Sequence, residues 1–272
     1  MIQRGIKFKV DLKDCEQARG YICETYKSHF VLPDLGPIGA NSLANPMHFE
    51  SPSAWYEDTS DDWTIINKFN GKFFSYTLNH SPFNVVAWHG TYCPYRYDLR
   101  KFNTIGSISY DHPDPSIFTV LTCQSDDPGQ AVVDFVIFPP RWLVAEKTFR
   151  PPYYHRNTMS EFMGNLKGVY DAKEYGFIPG ASSLHSTMSG HGPESAVFEK
   201  ASGLDGNSKE QQKPQFVGEG SMAFMFETCY LMNVTNFAQN PEHQDETYVE
   251  HSWSGLKKFF DSTKIDVDSC HT

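Results

Sequence analysis

Two histidines and one glutamate, set among aromatic, proline and glycine residues, are the side chains of this sequence best suited to hold a metal ion. His155 and Glu161 lie in Pro151-Pro152-Tyr153-Tyr154-His155-Arg156-Asn157-Thr158-Met159-Ser160-Glu161-Phe162, and His191 lies in Ser189-Gly190-His191-Gly192-Pro193. Two imidazoles and a carboxylate on one face of an ion leave adjacent coordination positions open, the arrangement associated with Fe(II) oxygenases. A zinc hydrolase can use such a triad equally well. As spacing alone, H-x5-E-x29-H is weak evidence, because a chain with 11 histidines contains many loosely spaced triples of this kind. Ordinary hydrogen-bonded or surface side chains are the plainer alternative.

The spacing does constrain the backbone. Six residues of straight strand would carry Glu161 about 20 Å from His155, and six residues of helix would turn the two side chains about 240° apart. The chain must therefore bend between them, and the polar run Arg156-Asn157-Thr158 can supply the bend. Gly190 and Gly192 give the backbone similar freedom around His191. Ligands are expected at strand ends or loops, as in the mouth of a β-barrel, and not on one helix.

The surrounding sequence reads as a framework able to do this. Short β-rich runs recur between turn signals: Ile6 to Val10, Trp63 to Ile66, Lys72 to Tyr76, Ile117 to Leu121 and Ala131 to Phe138. Helical spacing appears in Asp14 to His29 and in Glu246 to Asp261, where Trp253, Leu256, Phe259 and Phe260 recur. The polar run Gly203 to Pro214 reads as a surface loop. The pattern predicts a mainly β fold with few short helices: a partial β-rich domain and connector over residues 1–105, then a cupin-like jelly-roll barrel, centred on Gly106 to Met232, within a 106–272 domain that ends in a short helix.

Composition narrows the function classes. The net charge of −10 supplies no basic stripe to neutralise a phosphate backbone, so nucleic acid is not expected as a partner. No run approaches the roughly 18 apolar residues of a membrane span, and the start lacks the apolar stretch of a secretory signal; a soluble, cytoplasmic protein is expected. The six cysteines are dispersed, with no C-x-x-C pair, and read as reduced, incidental thiols.

Several long strings are far more specific than any spacing. Asp34-Leu35-Gly36-Pro37-Ile38-Gly39-Ala40-Asn41, Ser81-Pro82-Phe83-Asn84-Val85-Val86-Ala87-Trp88-His89-Gly90, the run from Asp134 through Gly164, and Ser186-Thr187-Met188 leading into His191-Gly192-Pro193 closely resemble the homogentisate dioxygenases, and the resemblance extends from about Ile2 to about Phe260. It implies an Fe(2+) cofactor held by His155, Glu161 and His191. It implies that His112, in Asp111-His112-Pro113, is the acid/base histidine, and that Tyr170, His191, His185 and Lys173 contact the substrate, Lys173 by pairing with its acetate carboxylate. His185 reads as a hydrogen-bond partner at the site more than as a fourth ligand, and Arg150 and Arg156 as charged neighbours.

The implied reaction converts homogentisate and O2 to maleylacetoacetate in tyrosine and phenylalanine catabolism, in a homo-oligomer built in the family as trimers paired into hexamers. Family members carry a further N-terminal β-rich part ahead of the segment that begins here at Ile2, so exposed sheet edges are expected. The alternatives are a truncated, non-catalytic form, a cupin-like metal-binding protein without oxygenase chemistry, and a metal-dependent hydrolase or isomerase.

Overall fold

The structure is a computed structural model that describes residues 1–26, 28–34, 42–53, 55–88, 90, 92–104, 115–143, 154–202, 214–258 and 261–264. Its strands are β1 (Ser42–Leu43), β2 (Phe49–Glu50), β3 (Trp63–Phe69), β4 (Lys72–Leu78), β5 (Arg96–Tyr97), β6 (Asn103–Thr104), β7 (Thr119–Gln124), β8 (Ala131–Phe138), β9 (Arg141–Leu143), β10 (Ser160–Lys167), β11 (Ser182–His185), β12 (Gln215–Val217) and β13 (Met222–Thr228), with helices α1 (Ser195–Ser202) and α2 (Tyr248–Trp253). This mainly β content, with two short helices among the described residues, is what the sequence predicts. The chain falls into two compact units, Met1–Asp11 with Asn45–Asp98 and Leu12–Ala44 with Leu99–Thr272.

The first unit is a pair of small antiparallel ladders. β3 and β4 pair from Trp63 opposite Leu78 to Phe69 opposite Lys72, and Asn70-Gly71 closes them with φ of 48° and 73°. Two successive left-handed residues are what a two-residue hairpin turn requires, and Asn followed by Gly adopts them at least cost. β2 and β5 pair through Phe49 and Tyr97, whose rings stack at 4.4 Å. Residues 6–10, expected as a strand, pair with no ladder. Side chains hold this segment instead: Lys7 Nζ is 2.7 Å from a Glu57 carboxylate oxygen and sits 4.5 Å over the Trp63 ring.

The second unit is built on a five-stranded antiparallel sheet in the order β11-β10-β13-β8-β7, an arrangement consistent with a cupin-like β fold. Its middle strands are buried on both faces, which explains why β10 and β13 lack the clean alternation of a surface strand. Alternate residues still point to opposite faces. One face carries Val136, Phe138, Met163, Ala223 and Met225, which form the core cluster with Phe177. The other carries Phe162, Phe224 and Phe226, and Tyr21 covers it with its ring 4.5 Å from Phe224 and its hydroxyl donating to the Ala181 carbonyl at 2.9 Å.

That covering segment corrects a sequence reading. Residues 14–29 contain no helix among those described; an extended course lets Tyr21 reach the sheet and lets Val31 exchange backbone hydrogen bonds with Thr122 at 2.8 and 2.9 Å, and Gly20 within it is a poor helix former. The C-terminal helix is shorter than the periodicity over 246–261 suggests. It stops at Trp253, followed by Gly255 at φ 90°, a left-handed residue that terminates helices. The expected strand at 117–121 starts two residues late, because Ile117 and Phe118 belong to a 3-10 turn opened by Pro115. His112, Arg150, Phe259, Phe260 and residues 203–213 lie outside the described residues. No helix among the described residues is long and apolar enough to cross a membrane.

Candidate metal centre

Glu161 is placed by strand register. It is the second residue of β10 and lies two residues before Met163, so its side chain emerges on the face that carries the core cluster. His185, the last residue of β11, stands directly opposite it, and directly opposed residues in an antiparallel pair share a face. Glu161 is consequently 3% exposed. A carboxylate this deep is stable only if it is hydrogen-bonded and charge-matched.

The two remaining residues arrive together from loops. His155 and His191 form an isolated antiparallel bridge, each backbone N–H donating to the other's carbonyl at 2.9 Å. This short pairing puts their rings 4.4 Å apart. The predicted bend between His155 and β10 is present and is organised by Asn157. Its side-chain oxygen accepts from the Met159 N–H at 2.6 Å, its carbonyl accepts from the Met188 N–H at 2.8 Å, and its amide donates to Glu161 Oε1. One side chain thus turns the chain and fixes the carboxylate's orientation.

One ligand atom from each of His155, Glu161 and His191 lies within 4.8 Å of the others, close enough to grip a single ion. Glu161 is 4.0 Å from His155 Nε2 and 2.9 Å from His191 Nε2. His191 Nδ1 lies 3.0 Å from the Ser189 carbonyl; a carbonyl can only accept, so Nδ1 carries the proton and Nε2 bears the lone pair. That Nε2 is buried, and despite its proximity to Glu161 its direction does not meet the oxygen, leaving it with no hydrogen-bond partner. A buried lone pair beside an anion, with nothing to accept from, is the chemistry of a metal ligand. Charge bears on the same atoms: burial pushes Glu161 up, but its interactions with His185 and His191 bring it to about 2, so it is a carboxylate at neutral pH.

The fold and this triad coincide with a family assignment. The homogentisate 1,2-dioxygenase C-terminal family model matches residues 100–260, and the corresponding N-terminal model matches residues 1–99. The chain belongs to the homogentisate 1,2-dioxygenase family.

The other residues singled out in the sequence divide into several environments. His185 joins the triad: its ring stacks on His191 at 4.3 Å with planes 12° apart, and its Nδ1 is 3.5 Å from Glu161 Oε2. Tyr170 packs edge-on against Phe138 and Phe177 at 5.5 and 5.9 Å. Burial, then the charge of Asp171, hold its hydroxyl far above the ordinary phenol range, with Arg141 opposing and Glu161 adding to the effect. Lys173 donates to Glu194 Oε1 at 2.8 Å, with the two side chains 14% and 8% exposed, so a carboxylate of this chain already answers its ammonium. Arg156 is exposed.

Sequence reasoning missed Asn157's grip on Glu161, and it missed Glu194 and Tyr248 altogether. Asn157 was visible as a bend residue, and an Asn two positions after a candidate ligand was signal enough to suggest the contact. Tyr248 lies far along the chain from every ligand, and no local pattern marks it.

Proposed function

We propose that this chain is an iron(II) ring-cleaving dioxygenase that converts homogentisate and O2 to maleylacetoacetate. The observation that carries this reading is the buried, unpartnered Nε2 of His191 facing Glu161 beside His155, a two-histidine, one-carboxylate set matched in type to non-haem iron. The family assignment supports homogentisate as the substrate. Both atoms of O2 enter the product, one ring carbon–carbon bond breaks, and the ring supplies the electrons, so no further reductant is required.

His155, Glu161 and His191 are the residues that would hold Fe(2+). The ion, when bound, would supply Lewis-acid and redox chemistry at one point for the aromatic substrate and O2. The protein's own side chains do the rest. Asn157 keeps Glu161's Oε1 occupied and so aims the carboxylate. The Ser189 carbonyl holds His191 in the tautomer that presents Nε2. Tyr170, with its hydroxyl protonated, offers a donor to the substrate, and His185 and His191 form the adjoining wall. Lys173 would share its ammonium between Glu194 and the substrate's acetate group.

His112 is proposed as the proton carrier, since an imidazole can exchange a proton with the ring hydroxyl. His112→Ala is expected to bind iron at wild-type stoichiometry while kcat falls by roughly 10²–10⁴, the usual contribution of a positioned acid or base; iron content and steady-state rates on the same sample check this. Loss of iron together with rate would place His112 among the ligands instead.

The decisive experiment is oxygen uptake. Protein loaded anaerobically with Fe(II) is mixed with homogentisate in an oxygen electrode, and one O2 per substrate is expected. A chain that binds iron but consumes none, or that is active with zinc or manganese in a hydrolytic reaction, overturns the proposal.

A further inference from the structure

The ring of His185 reaches the metal centre on one side and an unassigned residue on the other. Its Nε2 lies 3.2 Å from the hydroxyl of Tyr248, the first residue of α2. Its Nδ1 lies 3.5 Å from Glu161 Oε2 and is buried without a hydrogen-bond partner. Which nitrogen carries the proton decides what Glu161 faces. A lone pair on Nδ1 would confront the carboxylate with a second acceptor and would make His185 a potential fourth ligand. An N–H there presents a positive edge to the carboxylate and leaves the ion three protein ligands.

The neighbours settle the choice together: the Glu161 carboxylate oxygen beside Nδ1 can only accept, so the N–H belongs on Nδ1, and Nε2 keeps the lone pair that accepts from the Tyr248 hydroxyl. Burial holds the hydroxyl of Tyr248 above the ordinary phenol range, with Ser252 opposing and Glu194 and Asp245 adding to the rise, so it has a proton to donate. Its ring is clamped from the face by the Lys173 ammonium, 5.1 Å from the centroid, itself held by Glu194 at 2.8 Å. The short helix that carries Tyr248 is anchored to the ligand loops: Trp253 packs on Tyr154 at 5.2 Å, next in sequence to His155, and the Ser254 carbonyl accepts from Ser195 Oγ at 2.6 Å. The hydroxyl is therefore aimed by three separate elements.

We infer that Tyr248 is a positioning residue of the metal centre, donating to His185 Nε2 so that His185 turns an Nδ1–H toward Glu161 and stays out of the coordination sphere. The Glu194–Lys173 pair serves this arrangement by fixing the Tyr248 ring. The inference rests on the metal-binding part of the proposed function and not on the identity of the substrate.

Two measurements test it without turnover. In the metal-free protein, long-range proton–nitrogen correlation spectra of the histidine rings report the tautomer directly: Nδ1–H on His185 is expected, and Nε2–H would overturn the inference. Co(II) titration, followed by the ligand-field bands, then compares wild type with Tyr248→Phe, which keeps the ring for Lys173 and removes only the hydroxyl. Affinity is expected to fall on the order of ten-fold, the range seen when a ligand's outer hydrogen-bond partner is removed, with altered bands. The loss should vanish in a His185→Asn background, because the hydroxyl then has nothing to orient. Equal losses in both backgrounds, or an unchanged titration and spectrum, would reject the role. If the wild type binds Co(II) and shows the expected tautomer but consumes no O2 with homogentisate, the substrate assignment fails while this inference stands.

Discussion

Glu161→Ala is expected to abolish metal binding while leaving the metal-free protein folded. The carboxylate is the only anion in the triad and stays ionised at neutral pH, so its removal deletes a ligand and the charge that attracts a divalent ion in one step. Second-sphere substitutions already cost 10–100-fold in affinity, and loss of a ligand should exceed about a hundred-fold. The fold should tolerate the change because the imidazoles left behind are neutral, so no uncompensated buried charge remains. Two measurements check it: iron content after anaerobic loading, and melting temperature with and without added metal. Wild type gains stability from the ligand by mass action, and the variant should gain none. A Glu161→Ala protein that retains iron at wild-type stoichiometry would end the assignment of this site.

Gly192→Ala should be nearly as damaging to the site, from a change of one methyl group. A Cβ at position 192 would lie 2.6 Å from Cδ1 and 2.8 Å from Cγ of Tyr154. That ring has little room to retreat. Phe198 and Trp253 pack on it at 5.1 and 5.2 Å, and its hydroxyl donates to the Pro193 carbonyl. Overpacking of this kind costs about 1–3 kcal/mol, or a few degrees of melting temperature at roughly 2–4 °C per kcal/mol for a chain of this size. The larger effect is on the metal. Gly192 follows His191 and Tyr154 precedes His155, the two residues of the bridge that aligns the imidazoles, so forcing them apart separates the two ligands. Affinity for Fe(II) or Co(II) should drop on the order of ten-fold or more, comparable to loss of an outer-sphere contact. Gly190→Ala is the matched control: its Cβ would meet Trp253 Cη2 at 3.9 Å, an ordinary contact, and should change little. Similar titrations for both variants would show that the Tyr154 contact does not govern ligand alignment.

Legibility in the sequence followed how locally each feature is determined. The strands at 63–69, 72–78 and 131–138 were readable because β-branched and aromatic residues crowd them between turn residues. β10 was not, since Glu161, Gly164 and Asn165 break its apolar pattern. Two of these have identifiable reasons. Glu161 belongs to the candidate metal centre, and Gly164 is there because any side chain would strike the Phe224 ring. The segments 6–10 and 14–29 misled in the opposite way: their local patterns suit a strand and a helix, but the residues that hold them lie elsewhere in the chain.

The amino-acid sequence by itself determined the kind of chemistry and the local turns. Imidazole and carboxylate donors, and an Asn able to cap its own bend, are properties of residue type and near-neighbour spacing. Only the tertiary structure decided that the donors converge. Ladder register set His185 opposite Glu161, a two-residue bridge brought His155 against His191, and packing of α2 put Tyr248 behind His185. Each is a contact between segments distant in the chain, and the order among such segments is settled by which faces they can bury together, information that no single stretch of residues contains.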